Sequence, residues 1–284
     1  MRFGISAALT TASARDWAEA HRALGCGAVV FPFDHTADAN TVADYADAAR
    51  DAGLVIAEVG AWCNPVSPDA AERKRSLERC KAQLRLADEI GARCCVNIAG
   101  SDGPRWDGAY PGNFTDRHWL TTVASIREII DAVKPKRTFY TLEPMPWMLP
   151  RNPEEYLRLI KAVDRERFAV HMDLANWMTS AEKLFGSGDF ANECFDALGG
   201  YIRSCHLKDV ALAPEFTLRL IETRVGEGSM DHAAYFRRAD QCDPDMPMLL
   251  EHLPSDDIYK EDLRKARDLY NGLGCHGGNE RSGG

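Results

Sequence analysis

Short apolar runs alternate with longer amphipathic stretches along almost the whole chain, and this alternation limits the possible folds more than any other feature. The short runs are rich in Val, Ile, Phe and Tyr, and most precede Gly, Pro, Asp or Asn, which is typical of buried strands that end in a turn. We expect eight strands, at residues 2–6, 28–33, 54–59, 94–98, 138–143, 168–173, 201–206 and 248–251. The stretches between them predict helices at residues 14–24, 41–51, 69–90, 116–133, 153–163, 180–198, 231–240 and 257–273.

Eight strand–helix units in 284 residues, or about 35 residues per unit, match the α/β architecture of the (β/α)8 TIM barrel. A doubly wound parallel sheet is the rival, because it contains the same alternation. No Pro-, Gly- or Ser-rich linker divides the chain, so we predict a single barrel domain over residues 1–274 and a disordered tail over residues 275–284. The irregular stretch 99–115 is interpreted as a lid over a substrate or, with equal weight, as a surface excursion.

Charge and cysteine content exclude several classes of protein. The formal net charge of −9 argues against nucleic acid or an anionic membrane as the main partner. Nine cysteines without a CxxC pair favour reduced thiols over a disulfide framework or a structural zinc site. The first twenty residues do not resemble a secretory signal, and no run of about 18 apolar residues predicts a membrane span. We therefore expect a cytoplasmic protein whose ligand is a small molecule. A homo-oligomer is compatible with these observations.

Four candidate strands of the second half end in a side chain that can bind a metal. They are 30, 33 and 45 positions apart, close to one strand–helix unit each: Glu143 in TFYTLEP, Asp173 in FAVHMDLAN, His206 in YIRSCHLKD and Glu251 in MLLEHL. In a barrel such residues meet at one mouth, where three carboxylates repel one another unless a cation lies between them. Each residue alone is explained by a cap or an ion pair, but four together predict one divalent ion. Mn²⁺ is the first candidate, ahead of Mg²⁺, Co²⁺ or Zn²⁺.

Neighbouring residues extend this quartet. His171 lies two positions before Asp173 and therefore on the same strand face. There it binds substrate, shuttles a proton, or belongs to a lower layer of the barrel. His252 follows the last glutamate directly and is expected to point the other way. Lys208 and Arg224 lie in late loops, where a cation can hold a substrate oxyanion or phosphate. Solvated loop charge is the alternative, and it applies more readily to Lys208 than to Arg224.

Aromatic side chains also follow the predicted strands, at Trp62, Trp147 and Trp177. Such positions suit the apolar faces of sugars, and packing of the barrel rim explains them nearly as well. Trp62 and Trp147 are our candidate substrate contacts.

With these motifs the sequence resembles the xylose-isomerase-like TIM-barrel superfamily of sugar phosphate isomerases and epimerases. The resemblance covers about residues 1–273 and rests, in order, on EVGAWCNP, TLEPMPW, HMDLANW, CHLKD, RVGEGSMD and LLEHL. It implies that the quartet binds one divalent metal and that Arg224 binds substrate. In the ketose 3-epimerases of the superfamily two glutamates also act as an acid/base pair, and the resemblance carries this role onto Glu143 and Glu251. The chemistry is consistent, because a carboxylate can move the proton next to a metal-chelated carbonyl.

The chain departs from those epimerases at Asn176, where they carry a histidine three residues after the metal-binding aspartate. We interpret Asn176 as a substrate contact that differs from theirs. The same barrel hosts lyases that decarboxylate 3-oxo sugar acids, dehydrate inososes or cleave 3-oxo C-glycosides, and a lyase is our alternative function. Endonuclease IV shares the barrel but needs three zinc ions and further histidines, and a non-catalytic barrel would not need the quartet. The sequence therefore predicts a metal-dependent sugar isomerase or epimerase that acts through an enediolate.

Overall fold

Eight parallel strands close into a barrel in the computed structural model, which describes residues 1–7, 9 and 11–274. The barrel strands are β1 (Arg2–Ile5), β2 (Ala28–Val30), β3 (Val55–Gly60), β4 (Cys94–Asn97), β5 (Tyr140–Leu142), β6 (Phe168–Met172), β7 (Ile202–Leu207) and, after two strands outside the barrel, β8 (Asp209–Leu212) and β9 (Leu220–Thr223), β10 (Pro247–Leu250). Around the barrel they follow the order β1, β10, β7, β6, β5, β4, β3, β2, and β2 pairs with β1 to complete the circle. The predicted barrel is confirmed. The predicted disordered tail, 275–284, lies outside the described residues.

The helices surround the barrel, and most begin at a residue whose side chain caps the first turn. A capping oxygen accepts a hydrogen bond from a backbone N–H that the helix leaves unpaired. Such caps are Ser13, Asp38, Asp69, Thr115, Asn152, Ser180, Asp231 and Ser255. The helices are α1 (Ala14–Ala23), α2 (Ala39–Asp51), α3 (Ala70–Ile90), α4 (Asp116–Val133), α5 (Pro153–Val163), α6 (Ala181–Phe185), α7 (Ser187–Leu198), α8 (His232–Cys242) and α9 (Asp256–Gly272). None of those in the described part of the chain is both long and apolar enough to span a membrane.

Two features of the second half differ from the sequence-based expectation. The predicted helix 180–198 is divided at Gly186, which ends α6 and precedes α7. An antiparallel pair of strands, β8 (Asp209–Leu212) and β9 (Leu220–Thr223), follows β7 outside the barrel. None of the four residues of β9 is buried and only two of them are apolar, so it lacks the apolar pattern by which buried strands are recognised.

The irregular stretch 99–115 is anchored to the barrel mouth through Asn113. The Asn113 Oδ1 atom accepts hydrogen bonds from Ser101 Oγ at 3.1 Å and from the Asp102 backbone at 2.9 Å. The Asn113 Nδ2 atom donates to the Trp147 backbone carbonyl at 3.2 Å, and the Trp147 indole donates to the Asp107 carbonyl at 2.8 Å. The stretch is thereby joined to the loop that follows β5.

Candidate metal centre

Four ligand-type side chains converge where the barrel strands end. Glu143, Asp173 and Glu251 directly follow β5, β6 and β10, and His206 is the penultimate residue of β7. One ligand atom from each lies within 4.8 Å of the corresponding atoms of the others. The His206 Nδ1 atom is 2.7 Å from Glu251 Oε2, 3.2 Å from Glu143 Oε1 and 3.6 Å from Asp173 Oδ2. The side chains predicted from the strand ends are thus brought together.

This donor set fits a divalent cation. Three carboxylates and one imidazole, mutually within reach of a common centre, are the ligands that hard or borderline divalent ions prefer. Glu143 and Asp173 are buried, so the negative charge of their carboxylates requires a positive charge inside the protein.

Lys208 supplies one such counter-charge from within the quartet. Its ammonium lies 2.7 Å from Asp173 Oδ2 and 2.8 Å from Glu251 Oε2, and its side chain is only 1% exposed. Burial alone lowers the pKa of Lys208, but Asp173 and Glu251 raise it well above its ordinary value. The lysine therefore stays charged and faces the carboxylates, so the alternative of a solvated loop charge does not describe its environment.

The carboxyl groups of the quartet differ in acidity. Burial raises the pKa of Glu143 to about 7, although His206 opposes the shift. Burial also acts on Asp173 and Glu251, but Lys208 and His206 lower the pKa of both far enough to keep them ionised. Carboxyl groups whose environments separate their pKa values are suited to different proton-transfer roles.

Asn176 contacts two members of the quartet. Its Nδ2 atom donates to Glu143 Oε1 at 2.9 Å, and its backbone N–H donates to Asp173 Oδ1 at 3.1 Å. The residue lies in a short 3₁₀ helix, Ala175–Trp177, directly after β6. Asn176 therefore fixes the orientation of Glu143, a role that its position in the sequence does not reveal.

A second polar layer lies beneath the quartet. His171 is fully buried, and its ring centroid is 4.1 Å from that of His206. Its Nδ1 atom is 3.3 Å from Glu58 Oε2, a carboxylate that reaches across the barrel from β3. Burial and the neighbouring His206 lower the pKa of His171 to about 4. Of the two interpretations of His171, the geometry agrees with the lower-layer one.

Comparison with known proteins places this barrel in a family. The sequence model of one protein family, described as xylose isomerase-like TIM barrel, matches residues 11–269 of this chain. The chain belongs to the xylose isomerase-like TIM barrel family. No curated protein matches its sequence.

Three solved structures show how widely this fold is shared. D-psicose 3-epimerase with D-tagatose from Clostridium cellulolyticum is 14% identical, with a TM-score of 0.70, 96% of this chain covered and 99% of that chain. A xylose isomerase-like TIM barrel protein from Mycobacterium smegmatis in complex with magnesium is 16% identical, with a TM-score of 0.66 and coverages of 92% and 90%. Endonuclease IV from Thermus thermophilus is 14% identical, with a TM-score of 0.74 and coverages of 96% and 100%. At these identities the likeness establishes the fold.

The remaining predicted substrate contacts of this family member lie outside the quartet. The Arg224 guanidinium hydrogen-bonds to Asp262 and Glu261 of α9, with the shortest distance, 2.6 Å, to Asp262 Oδ1. Trp62 adopts a positive φ of 40° and is 39% exposed. Its indole folds over Gly60, where an added Cβ would be 2.0 Å from Trp62 Nε1. Trp62 therefore presents an aromatic surface after β3.

His252 lies beside Glu251, and Glu222 lies beside His252. Strand alternation predicts that His252 points away from Glu251, and this prediction is wrong. The φ of His252 is 58°, which interrupts the alternation, and its Nε2 atom lies 3.3 Å from Glu251 Oε1. Its Nδ1 atom lies 3.1 Å from Glu222 Oε2, which raises the pKa of His252. Glu251 thus has an imidazole on each side.

The RVGEG segment has a structural role that explains its glycines. The Asp209 carboxylate accepts hydrogen bonds from the backbone N–H groups of Gly226, Gly228 and Met230 at 2.9, 3.0 and 3.1 Å. An added Cβ at Gly228 would lie 2.2 Å from Asp209 Oδ1. This close approach requires glycine and ties the segment to the strand that follows Lys208.

Proposed function

We propose that this chain is a divalent-metal-dependent isomerase or epimerase acting on a sugar or a polyol-derived carbonyl compound. The observation that carries the proposal is the convergence of Glu143, Asp173, His206 and Glu251 within 4.8 Å at the barrel mouth. Membership in the xylose isomerase-like family agrees with it, because solved structures of the same fold include a sugar epimerase.

The quartet would hold the metal, and Mn²⁺ is our first candidate. A divalent ion held by these residues would act as a Lewis acid on a carbonyl oxygen and an adjacent hydroxyl of the substrate, which would acidify the hydrogen on the carbon next to the carbonyl. Lys208 partly offsets the three carboxylates, and a doubly charged ion would bring the remaining charge close to zero. This balance favours a divalent ion.

Glu143 and Glu251 are the proposed acid/base pair. Burial raises the pKa of Glu143, and a carboxylate close to the reacting carbon can accept a proton and return it. Asn176 fixes the Glu143 carboxylate through its hydrogen bond of 2.9 Å. Glu251 stays ionised beside His206 and Lys208 and is therefore suited to remove a proton.

The proposed substrate is a small polyhydroxylated molecule. Among the predicted contacts, the exposed Trp62 indole offers an apolar surface for a sugar ring or chain. DNA repair is a poor alternative, because the net charge is −9 and a DNA-binding surface is normally basic. In the part of the chain that is described, two groups of at least three ligand-type side chains occur, and they share His206.

Product analysis tests the proposal. The purified chain, loaded with Mn²⁺, is incubated with ketoses, inososes and 3-oxo sugar acids, and products are separated by chromatography and identified by NMR. We expect an isomer or epimer of one substrate, formed by the wild type and not by Glu143→Gln. Release of CO₂, or formation of a dehydrated product, would show that the chain is a lyase and not an isomerase or epimerase. A metal-loaded chain that changes none of these compounds would contradict both.

A further inference from the structure

Glu58 is a buried acidic residue in an otherwise apolar strand, and it is not a member of the quartet. It lies within the strand segment VIAEVG, is 3% exposed, and pairs through its backbone with Cys94 on β4. Its side chain crosses the barrel interior and places Oε1 3.4 Å from His206 Nε2. An ionised carboxylate buried at this depth is costly unless it has a partner of opposite charge or a strong donor.

The two ring nitrogens of His206 face different groups. The Nδ1 atom faces the quartet, 2.7 Å from Glu251 Oε2 and 3.2 Å from Glu143 Oε1. The Nε2 atom faces Glu58 alone among the carboxylates within ion-pair distance in the described residues. A neutral imidazole carries its hydrogen on one nitrogen only, and that nitrogen cannot bind a metal.

We infer that Glu58 is a positioning residue, which holds His206 in the tautomer with hydrogen on Nε2. The Nε2–H group donates to Glu58 Oε1, and the lone pair of Nδ1 is thereby presented to the other three ligands. Carboxylates that accept a hydrogen bond from the second nitrogen of a metal-binding histidine fix both the tautomer and the ring orientation. This inference rests on the proposed metal site.

His171 supports the geometry from the other side of Glu58. Its Nδ1 atom lies 3.3 Å from Glu58 Oε2, and its ring packs against His206 at an interplanar angle of 73°. The Glu58 carboxylate therefore lies between two imidazoles, with one oxygen near each ring. The alternative is that Glu58, His171 and His206 hold a second cation, since their ligand atoms also lie within 4.8 Å of one another.

The decisive variants are Glu58→Leu and Glu58→Asp. Leucine fills a similar volume without an acceptor, and aspartate keeps the charge but shortens the reach by one methylene. A role in packing alone predicts that Leu is tolerated, and a role in charge balance alone predicts that Asp is tolerated. The positioning role predicts that both weaken metal binding by about 10- to 100-fold. Glu155→Leu is the matched control, because Glu155 of α5 is a buried carboxylate that pairs with Arg151, just before that helix.

Calorimetric titration of the metal-free chain with Mn²⁺ measures affinity, and elemental analysis measures the number of ions per chain. Long-range ¹⁵N–¹H NMR of the Mg²⁺-loaded protein reports the His206 tautomer. We expect one ion per chain, wild-type affinity in Glu155→Leu, and loss of the hydrogen-bonded Nε2–H signal in the Glu58 variants. Wild-type affinity in Glu58→Asp, or in a folded Glu58→Leu, would overturn the inference.

A stoichiometry that falls from two ions to one in the Glu58 variants would overturn it in favour of a second metal site. If the wild type binds no divalent ion, the proposed function itself fails. If the wild type binds the metal and the Glu58 variants bind it with the same affinity, only the positioning role fails. The two failures are therefore distinguishable.

Discussion

Replacement of Lys208 by methionine tests whether the quartet is built around a cation. Methionine retains the unbranched stem and removes the ammonium, which lies 2.7 Å from Asp173 Oδ2 and 2.8 Å from Glu251 Oε2. Breaking a buried ion pair by removing one partner costs about 3–5 kcal/mol, because the other charge remains buried. For a domain of this size each kcal/mol corresponds to about 2–4 °C, so the Tm of the metal-free variant should fall by roughly 6–20 °C.

The same substitution should matter less when metal is bound. A divalent cation supplies two positive charges to the same carboxylates, so it offsets part of the missing ammonium. By linkage, the rise in Tm on adding Mn²⁺ should then be larger in Lys208→Met than in the wild type. Differential scanning calorimetry measures the Tm of the wild type and of Lys208→Met, each with chelator and with saturating Mn²⁺.

Lys81→Met is the matched control for this comparison. Lys81 also contacts two carboxylates, Glu78 and Glu128, both at 2.8 Å, but these are more than half exposed. Such a surface pair contributes at most about 1 kcal/mol, and its loss should not depend on metal. Equal stability of metal-free Lys208→Met and wild type, or an identical loss with and without Mn²⁺, would refute the reasoning.

Three other substitutions test separate parts of the site. Glu143→Gln should keep much of the metal but abolish turnover, because an amide cannot move a proton; unchanged turnover would exclude Glu143 as acid/base. Asn176→Ala removes a hydrogen bond to that carboxylate, worth about 1.5–3 kcal/mol, so kcat should fall at least tenfold while measured metal affinity changes less. Gly228→Ala forces a Cβ to 2.2 Å from Asp209 Oδ1 and should lower Tm, whereas Gly200→Ala meets no atom within 4 Å. A Tm loss equal in both glycine variants would contradict the close-approach argument.

Sequence periodicity predicted the barrel and the quartet for the same physical reason. Parallel strands of a barrel end at one mouth, so Glu143, Asp173 and Glu251, each directly after a strand, had to lie near one another. His206 followed the same rule at the end of β7. Strand ends are determined by local apolar pattern, and local pattern is what a single sequence displays.

Side-chain direction over longer distances could not be predicted in this way. Lys208 follows β7 like a loop residue, yet its flexible stem turns inward to the carboxylates. Glu58 is the one charged residue in VIAEVG, and the partner across the barrel is 148 positions away in the chain. His252 departs from strand alternation because its φ is positive. Histidine at that position gives no indication of a positive φ, as a glycine would. These contacts depend on the closed barrel.

Exchange of substrate hydrogen with deuterated water tests the central claim most directly, because the proposed isomerisation or epimerisation begins with proton removal at the carbon next to the carbonyl. The wild-type chain with Mn²⁺ is incubated in D₂O with the substrate identified by product analysis, and deuterium at the carbon next to the carbonyl is followed by NMR. We predict exchange that stops with a chelator and that, in Glu143→Gln, is lost from whichever of substrate and product presents its hydrogen to Glu143, while Glu251 still serves the other. Product formation without deuterium incorporation at that carbon, or exchange that persists in Glu143→Gln from both substrate and product, would contradict the account.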